Sequence, residues 1–155
     1  MRLKYSKKTV FYLILAVFFV VLDRFLKILA INQVFNPPIR VIEDIFQLNL
    51  AKNYNIAFSL PLGGWLLNIL VGLIILVLVY YWLILNKKRE YKILIFLTFI
   101  IFGAISNMVD RLKFGYVVDY FDLKYFTVFN IADVMIVGGV IFVLIINILI
   151  KDKKI

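Results

Sequence analysis

The chain has nine acidic residues but no histidine and no cysteine. Ser-His triads, thiol nucleophiles, disulfides and histidine-based metal sites are therefore excluded together. The only serines are Ser6, Ser59 and Ser106, so any catalysis falls mainly to carboxylates, lysines or tyrosines. Four aspartates stand in or beside long apolar runs: Asp23, four residues before Lys27; Asp110, next to Arg111 and three residues after Asn107; Asp119; and Asp133, three residues after Asn130. If two such carboxylates share one low-dielectric site, they do not both ionise: like charge and desolvation leave one protonated and one charged near neutral pH. That is the state needed to hydrolyse a peptide with water. The ionised acid takes a proton from water, and the protonated one hydrogen-bonds the scissile carbonyl and assists departure of the amine.

The elements that must position these acids are visible in the composition. The chain is 65% hydrophobic with a mean hydropathy of +1.01, against roughly 45–50% apolar residues in a soluble domain. The excess sits in four runs, which predict an all-α membrane protein of a single domain with helices over 9–31, 63–85, 92–112 and 130–150. Segments 36–62 and 112–129 lie outside the bilayer. The first contains Pro37-Pro38 and then alternates Phe46, Leu48 and Leu50 with Gln47 and Asn49, which reads as a short strand or hairpin. The second, rich in tyrosine and phenylalanine, reads as an interfacial loop with room for a short strand or helix. Trp65, Tyr80, Tyr81 and Trp82 fit interfacial belts. The first run has a basic start but no small-x-small cleavage site after it, and is read as a retained helix rather than a cleaved leader.

Charge sets the orientation. The N-terminus, the loop after the second run and the C-terminal tail hold 11 of the 18 basic residues and only Glu90 and Asp152 among the acids, so they carry the entire net charge of +9. An N-in, C-in topology places all three in the cytoplasm. The basic balance is thus a topology and anionic-lipid signal, and no basic soluble face suggests nucleic acid. At the helical rise, Asp23 lies about 21 Å above Thr9, Asp110 about 27 Å above Lys92, and Asp133 about 27 Å from Lys151. The hydrocarbon core is about 30 Å thick, so three acids from three helices reach one level near the outer interface, and Asp119 in the connecting segment can join them. Ionisable groups at membrane depth are costly and usually functional.

Each residue also has a plain structural reading. Asp23 and Lys27 can pair on one helix face. Asp110-Arg111 can anchor a helix end, with Arg111 snorkelling. Asp133 can cap the last helix. Asp119, Asp122 and Lys124 can be solvated, and Asn53 and Asn107 can be turn or helix-contact amides.

Four stretches in order resemble bacterial lipoprotein signal peptidases (signal peptidase II). They are Asp23-Arg-Phe-Leu-Lys27; Asn53-Tyr-Asn-Ile-Ala57-Phe58; Gly103-Ala-Ile-Ser-Asn107-Met-Val-Asp110-Arg111, continuing to Gly115-Tyr-Val-Val-Asp119; and Phe129-Asn130-Ile-Ala132-Asp133. The resemblance runs through nearly the whole chain. It implies a multi-pass aspartyl endopeptidase of the bacterial cytoplasmic membrane, with its site near the extracytoplasmic face. Asp119 and Asp133 would be the catalytic pair, Asn53, Asn107, Arg111 and Asn130 would contact substrate or shape the site, and Asp23, Lys27 and Asp110 would support it. The implied substrates are diacylglyceryl-modified prolipoproteins, cut just before the lipidated cysteine. No cofactor or metal and no partner beyond substrate and membrane lipids is expected, and the enzyme would be monomeric. Asn55 stands where the family has a glycine, Ser106 where a glycine often precedes the asparagine, and the Asp119–Asp133 interval is short for the family.

Three other readings compete: a small transporter or channel subunit with acids lining an ion path, a Ser-Lys protease using Ser106 or Ser59 with Lys27 or Lys113, and a non-catalytic assembly subunit. No acid lies near the middle of the second run, which argues against a through-path.

Overall fold

In the computed structural model, residues 7–54 and 64–152 are described, without the side chains of Lys8 and of residues 150–152. Asn55, Ala57, Phe58, Ser59 and Gly63 lie outside the described residues, as do the terminal charges Arg2, Lys4, Lys153 and Lys154. The elements run α1 (Lys7–Ile31), β1 (Ile39–Ile42), β2 (Phe46–Asn53), α2 (Gly64–Lys88), α3 (Tyr91–Phe114), β3 (Val117–Leu123), β4 (Val128–Phe129) and α4 (Ile131–Asp152).

Among the described residues, α2, α3 and the Ile131–Leu149 part of α4 are long and apolar enough to cross a membrane. The first helix is 25 residues long but carries Asp23, Arg24 and Lys27 in its second half. The apolar window of α3 is 61% buried, against 6% in α2 and 22% in α4, so α3 is the central helix on which the others pack. Side chains such as Leu76, Val77 and Phe142 face outward, as expected where lipid is the solvent. Trp82 donates its indole N–H to the Thr98 hydroxyl at 2.9 Å, tying α2 to α3.

The helices α3 and α4 approach closely at two glycines. A Cβ on Gly139 would stand 2.6 Å from Ile100 Cγ1 and 2.9 Å from the Phe96 carbonyl, and one on Gly103 would stand 2.5 Å from the Ala132 carbonyl. Backbone cannot yield as a flexible side chain does. Gly103→Ala is therefore expected to destabilise by about 1–3 kcal/mol, seen as a lower melting temperature in detergent; an unchanged melting temperature would show that the contact is looser than this.

The strands form one antiparallel sheet in the order β1-β2-β3-β4. The sequence expectation of an essentially all-α chain needs correction here. The segment read as an interfacial loop contributes β3 and β4, and β3 pairs with β2 from Val117↔Asn53 to Leu123↔Phe46, with one irregularity between Leu48 and Ala51. The physical reason is burial. Val117, Val118, Asp119 and Tyr120 are all buried, so this end of β3 shows no alternation to read. Gly115, with φ of 80°, ends α3 by donating its N–H to the Arg111 carbonyl at 3.0 Å, and turns the chain into β3. The apolar cluster of Ala30, Phe35, Val118, Tyr120, Ile131 and Met135 then fixes the sheet against the ends of α1 and α4.

Candidate active site

The last residue before α4 organises the site. Asn130 Oδ1 accepts the Asp133 N–H at 2.9 Å, while Asp133 Oδ2 accepts the Asn130 N–H at 3.3 Å. This is a reciprocal cap, and it bears out the capping reading of Asp133. The Asn130 side chain does more. Its Nδ2 donates to Asp119 Oδ1 at 2.6 Å, and also contacts the Val118 carbonyl at 3.3 Å and Asn107 Oδ1 at 3.2 Å. Asp119 and Asp133 are thus both hydrogen-bonded to one residue.

Each acid has a second amide donor. Asn53 Nδ2, from β2, reaches Asp119 Oδ2 at 3.1 Å, and Asn107 Nδ2, from α3, reaches Asp133 Oδ1 at 2.8 Å. Asp119 is only 2% exposed. Burial, and then the charge of Asp133, push its carboxyl up to about 7, against the pull of the Asn53 and Asn130 amides. Asp133 is partly exposed and sits in the first turn of α4, where the helix dipole favours negative charge.

Beneath the acids lies an ionic floor in which Asp23, Lys27 and Asp110 are fully buried and Arg24 is partly exposed. Lys27 Nζ pairs with Asp23 at 2.9 Å and Asp110 at 2.8 Å, and donates to Asn107 Oδ1 at 2.8 Å. That bond orients the Asn107 amide so that its NH2 faces Asp133. Arg24 pairs with Asp110 and donates to the Ser106 carbonyl at 3.2 Å. The Ser106 hydroxyl donates to Asp23 Oδ2 at 2.6 Å, so the serine in the glycine position has a defined role. The Ser106–Lys27 protease reading fails on these contacts: the hydroxyl is given to a carboxylate, and the ammonium is spent on two carboxylates and an amide. Lys113 lies over the Phe114 ring.

The predicted residues therefore gather as a set: Asp23, Lys27 and Asp110 below, Asn107 and Asn130 between, Asp119 and Asp133 above, with Asn53 at the sheet side. Asp110 is buried and ion-paired rather than a simple helix-end anchor. Arg111, half-buried at the end of α3, lies in electrostatic reach of Asp133, Asp119 and Asp110. Among the described residues its Nε is the buried side-chain polar atom with no hydrogen-bond partner. Asp122, expected as a solvated charge, accepts from Gln47 at 2.7 Å at the far end of the sheet. Sequence reasoning missed Arg24 and Tyr120, and weighed Ser106 as a glycine replacement and a nucleophile rather than as a donor to Asp23. Arg24 could have been found as a second cation at membrane depth, whereas nothing set Tyr120 apart from its aromatic neighbours.

A family model described as signal peptidase (SPase) II matches residues 15–150. The chain belongs to the signal peptidase II family. Among similar proteins, the lipoprotein signal peptidase of Clostridium tetani is 35% identical over 139 residues, 86% of this chain and 89% of that protein. That of Enterococcus faecalis is 33% identical over 152 residues, 96% of this chain and 93% of that protein. A solved bacterial membrane enzyme, determined in meso at 2.3 Å resolution, matches with a TM-score of 0.76 and 26% identity over 99% of this chain and 94% of its own. The signal peptidase II match thus spans both the helices and the sheet, and signal peptidase II enzymes are aspartic peptidases.

Proposed function

We propose that Asp119 and Asp133 are the catalytic pair with which this signal peptidase II family member removes signal peptides from prolipoproteins, cutting before a diacylglyceryl-modified cysteine. The observation that carries this reading is the shared neighbour: both carboxyls bond to Asn130, so one water and one peptide can meet both. Asp119, buried and raised to about 7, holds the proton and donates to the scissile carbonyl and then the leaving amine. Asp133, at the helix N-terminus, carries the charge and takes a proton from water. Arg111, with its unpartnered Nε, offers N–H groups to a substrate carbonyl, and Asn53 and Asn107 hold the acids in place.

The four helices all cross the bacterial cytoplasmic membrane, N-in and C-in, in one domain. The ionic floor of α1 meets α3 at the level where α4 begins, so the acids face the extracytoplasmic side. A lipid-anchored cysteine holds its peptide bond at that headgroup level. Every group in the site comes from one chain, so a monomer suffices.

The test uses purified protein in detergent with a synthetic diacylated lipopeptide. Cleavage immediately before the lipidated cysteine, and none of the unlipidated peptide, is expected; equal cleavage of both would sink the substrate assignment. The same assay checks the proton bookkeeping. Above its pKa of about 7, Asp119 loses its proton and both acids are charged, so turnover is expected to fall as pH rises through that value. A flat rate from pH 6 to 9 (a range of about three pH units around neutrality) would remove Asp119 as the proton donor.

A further inference from the structure

We infer that Tyr120 is a positioning residue whose hydroxyl fixes the first turn of α4, and with it Asp133, relative to its own neighbour Asp119. This rests on the catalytic pairing of Asp119 and Asp133 proposed above.

Tyr120 is completely buried in the apolar cluster where the sheet meets α1 and α4. Strand geometry sends adjacent side chains to opposite faces, so Asp119 turns to the site and Tyr120 turns behind it. There the hydroxyl makes two bonds of opposite sense. It donates to Asp23 Oδ1 at 2.9 Å and accepts the Ile131 N–H at 3.0 Å. Asp23 Oδ1 also accepts the Ala132 N–H at 3.2 Å. The first three amides of α4 have no intrahelical acceptor. Here they are taken in order by the Tyr120 hydroxyl, the Asp23 carboxylate and the Asn130 side chain.

One dipeptide therefore carries one acid and clamps the helix that carries the other. Burial, and then the Asp23 charge, push the phenol up from its ordinary value, so it stays protonated and remains a donor to Asp23. Removing the hydroxyl leaves the ring packed. It strands the Ile131 N–H and takes one donor from Asp23. The turn bearing Asp133 is then free to shift, and a small misplacement of a reacting group costs up to about 100-fold in rate.

Two measurements test this. The first is hydrogen exchange on the wild-type chain in detergent, read at Ile131 and Ala132. Protection like that of the α4 interior is expected, and free exchange of Ile131 overturns the inference whatever any variant does. In Tyr120→Phe, exchange at Ile131 should speed up on the order of 10-fold, while the middle of α4 is unaffected. The second is turnover of the diacylated lipopeptide by folded Tyr120→Phe. A fall in kcat of about 10- to 100-fold is expected, with KM within about twofold. A merely structural tyrosine would reduce the yield or melting temperature and leave kcat per folded molecule intact, and that result also overturns the inference. Tyr125→Phe, an exposed ring beside Lys124, serves as the neutral control. The exchange result is independent of the function reading: wild-type rates in Asp119→Asn would sink the catalytic pair without moving the Ile131 amide.

Discussion

Asp119→Asn and Asp133→Asn are each expected to lower turnover of a diacylated lipopeptide by about a thousandfold, within the range that general acid–base catalysis supplies. Each substitution keeps the shape of the side chain. Asp133→Asn still offers an oxygen to the Asn130 N–H, and Asp119→Asn still offers one to the Asn130 amide. Each loses the proton relay that requires two acids. Because the two act as a unit, the double variant should be hardly slower than either single one. Each substitution also turns an NH2 toward an amide donor, Asn53 beside residue 119 or Asn107 beside residue 133, so a modest loss of stability, about 1–3 kcal/mol, seen as a lower melting temperature, is expected beside the loss of turnover. Near-normal turnover by either folded variant would falsify the pair. A double variant slower by the product of the two single effects would show independent roles instead.

The second large effect is on stability. Lys27→Ala removes the cation between Asp23 and Asp110 at a place that is fully buried. Arg24 still neutralises Asp110, but Asp23 is left with only hydroxyl and amide donors. Removing one partner of a buried pair costs about 3–5 kcal/mol, so a large fall in melting temperature in detergent is expected. Activity of the fraction still folded should fall less, because Asn107 Oδ1, though it loses Lys27, still accepts from Asn130 Nδ2 and so keeps its NH2 on Asp133. An unchanged melting temperature would mean that water or another cation replaces the ammonium. Loss of all activity in a fully stable protein would move Lys27 from support to chemistry.

Much of this arrangement was legible in the sequence, for identifiable reasons. Long apolar runs give helices directly, because lipid-facing helices are apolar almost all round. The alternation of Phe46, Leu48 and Leu50 gave β2, which has partners on both sides but keeps half-buried residues. The strand β3 was hidden because its first four residues are buried on both faces, one carrying an acid and one a phenol. At the site, spacing alone suggested that Asp23 and Lys27 pair, and they do. The same spacing could not show that Lys27 spans to Asp110, or that Arg24 joins them, since those contacts link α1 to α3, residues more than 80 positions apart. The capping and chemical readings of Asp133 looked like rivals in the sequence. In the structure the cap is what holds Asp133 beside Asn130, and so beside Asp119.

The ionic floor also has a consequence for how the chain is made. Asp23, Arg24 and Lys27 sit on α1, and Asp110, the acid that pairs with both cations, sits on α3. Alone in a bilayer, α1 keeps its internal Asp23–Lys27 pair but leaves Arg24 without its acid, and an unpaired charge costs about 2.5–3.5 kcal/mol at the centre of a span and less toward its ends. Of the four described helices, α1 is thus the one least able to rest in lipid by itself. Its stable residence awaits synthesis of the third, so a chain truncated between α2 and α3 should be a preferred target of membrane quality control.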